Sequence, residues 1–263
     1  MTHYAVKIAY IGWAFSGSQR QPEVRTVEGD IMRALSGVGA AETPDQCDLR
    51  SGGRTDKGVS ALGNVVSFHS DMPPQTLFPA MSANLKDIFI NAYAQVGYDF
   101  NPRRANERWY RYHINDRSHD VEAMARCARL FVGYHDFSRF AKVEKGRNPM
   151  RRVNSVVVSR HHDMVTVDVK GESFLWNMVR RIASALHMVG TGECAVEDIS
   201  RALAGYGDTV FPPLPPEALV LMDVSYDMDF IPLPDCGGLH MLEDMMGGMK
   251  TRLLVLETLR KGL

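Results

Sequence analysis

Residues 50–62 read RSGGRTDKGVSAL. Gly52, Gly53 and Gly58 surround Arg54, Thr55, Asp56 and Lys57. The loop is not a P-loop, because Val59 follows Gly58 where a phosphate cradle needs Lys and then Ser or Thr. Nor do its glycines fall as a dinucleotide fingerprint. Two readings of Asp56 remain. A turn aspartate accepts hydrogen bonds from nearby backbone N–H groups. A carboxylate pinned beside cations stays ionised at neutral pH and can act as nucleophile or base. On the loop alone, the turn is the simpler reading.

The flanking sequence sets this loop in an α+β chain. Residues 4–11 alternate as a strand with Val6, Ile8 and Tyr10 on one face. Thr26 reads as the N-cap of a helix whose stripe is Val27, Ile31 and Leu35. Beyond the loop, strands are predicted near 62–69 and over 89–97, with a helix over 76–86 between them. ERWYRYHIN (107–115) alternates, with Tyr110, Tyr112 and Ile114 on one face and Trp109, Arg111 and His113 on the other. The second half repeats the grammar. A helix runs from Asp120 to about Val132, a hairpin turns at His161–Asp163, and helices follow over 173–189 and 196–204. A strand over 219–227 closes the pattern. The layout predicts two similar halves, 1–105 carrying the glycine loop and 106–263 ending in a Met-rich tail. The end of that tail reads as an amphipathic helix, either an interface or a cover for the core.

Bulk composition excludes several classes. The chain has 263 residues, 45% hydrophobic and 23% charged, ordinary for a globular protein. No apolar run approaches the roughly 20 residues of a membrane span. No signal peptide is evident. Cys47, Cys127, Cys194 and Cys236 form no CxxC pair, so reduced cytoplasmic thiols are the expectation and a zinc knuckle is not. Net charge is −1, but residues 217–249 carry seven acids and no Lys or Arg, leaving +6 on the rest. Residues 139–152 hold six cations against one acid and 101–111 four against one. These runs are solvated faces or the walls of a phosphate-binding cleft. His135–Asp136 reads as a structural corner packed by Phe137 and Phe140 rather than a metal site. Arg180 lies beside the buried stripe of its helix, where an arginine often meets a carboxylate.

Four segments, in order, resemble the tRNA pseudouridine synthase A family: GGRTDKGVSA (52–61), RWYRY (108–112), HDFSRF (135–140) and FLWNMVRRI (174–182). The resemblance covers about residues 4–227. It implies the pseudouridine synthase fold, with the sheets of two similar halves joined around a central basic cleft. It also implies isomerisation of uridine to pseudouridine in the tRNA anticodon stem-loop, at positions 38, 39 and 40, by a cytoplasmic homodimer without cofactor or metal.

Residue by residue, the resemblance makes Asp56 the catalytic nucleophile. Arg54 becomes the arginine that fills the place of the flipped-out base, and Tyr110 the ring that stacks on the target uracil. Arg180 becomes the partner that keeps Asp56 charged. Lys57, Gln19 and Arg111 are expected to contact the RNA, and the loop glycines to let it come close. Whether the aspartate attacks sugar or base, or removes a ribose proton, stays open at this level. Ser18 stands where many relatives carry Trp, and Ala218 where Gly is common. Ser60 after Val59 is similar to archaeal and eukaryotic members. An inactive tRNA-binding module of the same fold is the alternative.

Overall fold

A computed structural model describes residues 1–116, 118–234 and 238–262. Its centre is one ten-stranded sheet. The strands are β1 (Thr2–Tyr10), β2 (Arg50–Ser51), β3 (Ser60–Ser70), β4 (Ile88–Val96), β5 (Glu107–Asn115), β6 (Gly133–Asp136), β7 (Met150–His161), β8 (Met164–Gly171), β9 (Leu219–Ser225) and β10 (Ile231–Pro232). They run β10-β4-β1-β3-β9-β5-β8-β7-β6, with β2 added beside β3. The mixed α/β content and long β-branched strands match the predicted α+β class.

The sequence does not announce how the two strand sets meet. They join through a short parallel pairing of β3 with β9, Ser60 opposite Val220 and Ala61 opposite Leu221. The glycine loop empties into β3 at this seam. β9 pairs antiparallel with β5 on its other side. After β9 the chain returns to the far edge, where β10 pairs with β4.

Helices α1 (Val27–Gly37) and α3 (Pro74–Ala83) pack on each other near the first strands, and the short α2 (Pro44–Cys47) lies against β3. Thr26 caps α1 by accepting the Gly29 N–H, as its sequence position predicts. Helix α4 (Val121–Ala128) packs on β7 and on α5 (Met178–Gly190), and α5 crosses β5. The short α6 (Val196–Leu203) packs on α4. Tyr110, Tyr112 and Ile114 of β5 are buried, while Trp109, Arg111 and His113 are half-buried on the opposite side. Phe137 and Phe140 are fully buried, with Phe140 stacked on Phe211 at 4.8 Å. His135 and Asp136 are spent on local hydrogen bonds, to the Val132 carbonyl and from the Ser138 N–H.

Two expectations change. Helix α5 begins at Met178, not near 173, because Asn177 has φ of 63° and breaks the helix before it. The preceding segment instead bridges Lys142 through Trp176. The tail does not cover the core: α7 (Gly238–Gly262) leaves Met246, Leu253, Leu254 and Leu256 exposed.

Candidate active site

The loop 52–59 is held from three sides. Asn64 of β3 accepts the Gly53 N–H at 3.0 Å and donates to the Gly53 carbonyl at 2.9 Å. Asn64 also donates to the Tyr10 hydroxyl, which bonds the Thr55 hydroxyl at 2.8 Å. Ser18 accepts the Thr55 N–H on its hydroxyl at 2.8 Å, and its own N–H donates to the Thr55 carbonyl. Ser18 is thus a buried clasp on the loop.

Buried Arg108 ties the loop to the second half of the sheet. It donates to the Gly52 carbonyl at 2.7 Å, to the Arg103 carbonyl at 2.9 Å and to the Glu172 carbonyl. Reading RWYRY as a motif did not reveal this role; a buried arginine satisfied only by carbonyls carries no sequence signal of its own. Gly52 and Gly53 serve the chain itself rather than an approaching ligand, because both are buried. A Cβ on Gly52 would lie 2.5 Å from the Tyr226 hydroxyl and 2.8 Å from the Pro102 carbonyl. One on Gly53 would lie 2.9 Å from Leu221. Gly58, at φ of 89°, makes the turn.

This clamping aims Asp56 into a cleft of about 270 Å³. Arg54, Tyr110, Trp176 and Arg180 line the same cleft, with Phe174 beneath Tyr110 edge-on at 5.3 Å. Arg180 Nη1 stands 3.9 Å from Asp56 Oδ2. Arg180 is itself fixed: its Nε donates to the Leu214 carbonyl at 2.6 Å and its Nη1 to Asn177 Oδ1 at 3.0 Å. The left-handed Asn177 that delays α5 therefore also orients the arginine. Among the described residues no backbone N–H donates to the Asp56 carboxylate, so the simple turn reading fails.

Burial pushes Asp56 above the ordinary carboxylate range. The charges of Arg180 and then Arg54, and the Trp176 side chain, oppose that shift without cancelling it. Arg180 thus limits the cost of ionising Asp56 but does not erase it. Burial likewise pushes the Tyr110 hydroxyl up to about 12, so the ring stays neutral.

Lys142, Arg147 and Arg151 also line the cleft, with Glu144 the second acid beside Asp56. Lys142 lies over the Trp176 ring, 4.1 Å from its centroid. The basic run 139–152 is thus, in part, a cleft wall. The other expected contacts do not gather here. Lys57 and Gln19 are exposed outside the cleft lining. Arg111 is held by a two-pronged bond to Asp168, at 2.9 and 3.0 Å, on the face opposite Tyr110.

An aspartate clamped in a basic, aromatic-lined cleft at the seam of a mixed sheet is the arrangement of a base-modifying RNA enzyme. Sequence comparison narrows the class. A family model described as tRNA pseudouridine synthase matches residues 127–227. The chain is 45% identical over 224 residues to the tRNA pseudouridine synthase A of Thermococcus kodakarensis, covering 84% of each chain. It is 43% identical to that of Methanothermobacter thermautotrophicus over 86% of this chain and 82% of the relative. The corresponding protein of Pyrococcus abyssi is 40% identical over 88% of this chain and 87% of its own length. The chain belongs to the tRNA pseudouridine synthase A family, whose members are isomerases acting on uridine in tRNA.

Proposed function

We propose that this chain converts uridine to pseudouridine at positions 38, 39 and 40 of the tRNA anticodon stem-loop, with Asp56 as nucleophile. The observation that carries the reading is the convergence of Asp56, Arg180, Arg54 and Tyr110 on one cleft, from residues up to 126 positions apart.

The chemistry suits those side chains. The C1′–N1 bond breaks, the base turns, C1′–C5 forms, C5 loses its proton and N1 gains one. Atoms and electrons balance, so neither oxidant nor reductant is needed. The uridine must first leave the RNA stack. Arg54, exposed at the cleft edge, is placed to occupy the vacated position. The detached uracil stays against the Tyr110 ring by stacking. Asp56, ionised beside Arg180, attacks the substrate.

Lys142, Arg147 and Arg151 are suited to phosphates, which position the stem without reading its sequence. Lys57, Gln19 and Arg111 are left for the outer RNA surface, where a bent stem-loop and a second subunit extend the contact. In this reading residues 1–105 supply the acid and residues 106–263 supply its arginine and the stacking ring. A homodimer acting in the cytoplasm completes it.

Incubating unmodified tRNA with the protein and mapping pseudouridine at single-nucleotide resolution tests the substrate claim. Modification confined to positions 38–40 is expected; modification elsewhere only, or binding without turnover, would refute it.

A further inference from the structure

The second tyrosine of RWYRY, Tyr112, takes no part in the chemistry described above. It is buried, yet its hydroxyl leaves the sheet to donate to the Pro215 carbonyl at 2.8 Å. Burial pushes its pKa up to about 12, so it stays a donor at neutral pH. Pro215 belongs to FPPLPPE (211–217), a segment with four prolines between α6 and β9. Proline fixes φ and has no N–H, so the segment is stiff and offers carbonyls to its neighbours. Arginines of α5 take them. Arg180 Nε donates to the Leu214 carbonyl at 2.6 Å, and Arg181 donates to the Phe211 carbonyl at 2.9 Å. Leu214 has the one N–H between Pro212 and Pro216, and it donates back to the Arg180 carbonyl at 3.5 Å. At one end of the segment Phe211 is fully buried. At the other, Pro216 and Glu217 crowd Gly58, where a Cβ would lie 3.1 Å from each. One stiff segment therefore touches both Arg180 and the loop that carries Asp56.

We infer that Tyr112 is a positioning residue: by anchoring the proline segment to β5, it holds the Arg180 guanidinium 3.9 Å from Asp56. The inference rests on the reading that Asp56 acts in its ionised form. Arg180 and Arg54 are the charges that act on Asp56, and Lys142, Glu144, Arg147 and Arg151 stand on the cleft wall. Arg180 and Glu217 are the charges that act on Tyr112. Removing a neutral hydroxyl alters none of these charges, so its effect on Asp56 comes through where Arg180 sits.

Titration of the Asp56 carboxyl carbon by NMR in the full chain, assigned with Asp56→Asn, tests this without reference to turnover. Tyr112→Phe should move the Asp56 pKa upward, in the direction of Arg180→Met. In an Arg180→Met background the same change should move it no further, because no guanidinium is left to place. Pro212→Gly combined with Pro215→Gly alters two exposed positions, keeps every carbonyl and frees the backbone. It should act as Tyr112→Phe does. In the turnover assay, Tyr112→Phe should lower kcat about tenfold, the size of one lost buried hydrogen bond, with KM within about twofold. An unmoved Asp56 titration in folded Tyr112→Phe would overturn the inference. If that variant does not fold, an unmoved titration in the glycine variant would do the same. So would equal shifts in the wild-type and Arg180→Met backgrounds. A wild type that makes no pseudouridine would refute the proposed function, while the titrations would still decide the role of Tyr112.

Discussion

Replacing Arg180 by Met should move the acid limb of the pH–rate profile upward. The guanidinium lies 3.9 Å from Asp56, and the two side chains are 14% and 31% exposed. Across that gap a unit charge pair is worth about 4 kcal/mol at an effective dielectric of 20, and about 1 kcal/mol in bulk water. Loss of Arg180 removes that stabilisation of the carboxylate and so raises the Asp56 pKa further. Burial already holds that pKa above the ordinary range. The variant therefore loses the ionised acid at a higher pH than wild type does.

The assay is kcat/KM for tritium release from C5 of uridine-labelled tRNA, measured from pH 5 to 9. The wild-type profile falls toward low pH, and the Met variant should fall earlier and recover in alkali. Because Met also abandons the Leu214 carbonyl and Asn177, melting curves of both proteins must accompany the rates. An acid limb in the same place in a folded variant would refute the reasoning that Arg180 acts through the charge of Asp56.

Other outcomes follow from the same geometry. The raised Asp56 pKa means that ionised Asp56 destabilises the folded chain, and that stability is gained as pH falls through the folded pKa. Asp56→Asn should accordingly melt about 1–4 °C higher than wild type at neutral pH in calorimetry, and this gain should vanish at acid pH. Gly52→Ala forces a Cβ against the Tyr226 hydroxyl and the Pro102 carbonyl. It should cost about 1–3 kcal/mol in urea unfolding and reduce turnover as the loop shifts. Replacing Lys142, Arg147 and Arg151 together by Met should flatten the dependence of tRNA affinity on log salt by about 2–3, read by filter binding.

Local pattern carried much of the fold. The alternation in 107–115 matches β5 at both ends, because one face packs under α5 and the other stays half open. The cap at Thr26 and the turn near His161–Asp163 were likewise legible. The onset of α5 was not, since Asn tolerates a left-handed conformation but the helical stripe running past it hides that Asn177 adopts one. The β3–β9 seam rests on two residue pairs about 160 positions apart, which no local period reports.

At the site, Asp56, Arg54, Tyr110 and Arg180 could be named from motifs, but the distance joining Asp56 to Arg180 could not. Gly52 and Gly53 suggested room for RNA. Packing shows room for the chain's own Tyr226, Pro102 and Leu221 instead. The resemblance sets Arg111 against the RNA without showing that its guanidinium is held by Asp168, 57 residues away.

The central claim is that the carboxylate of Asp56 performs the chemistry. Its most direct test is pseudouridine formation in unmodified tRNA by Asp56→Ala, with binding of the same tRNA measured in parallel. Retained binding with no detectable pseudouridine is the predicted result; full turnover by Asp56→Ala would contradict the account.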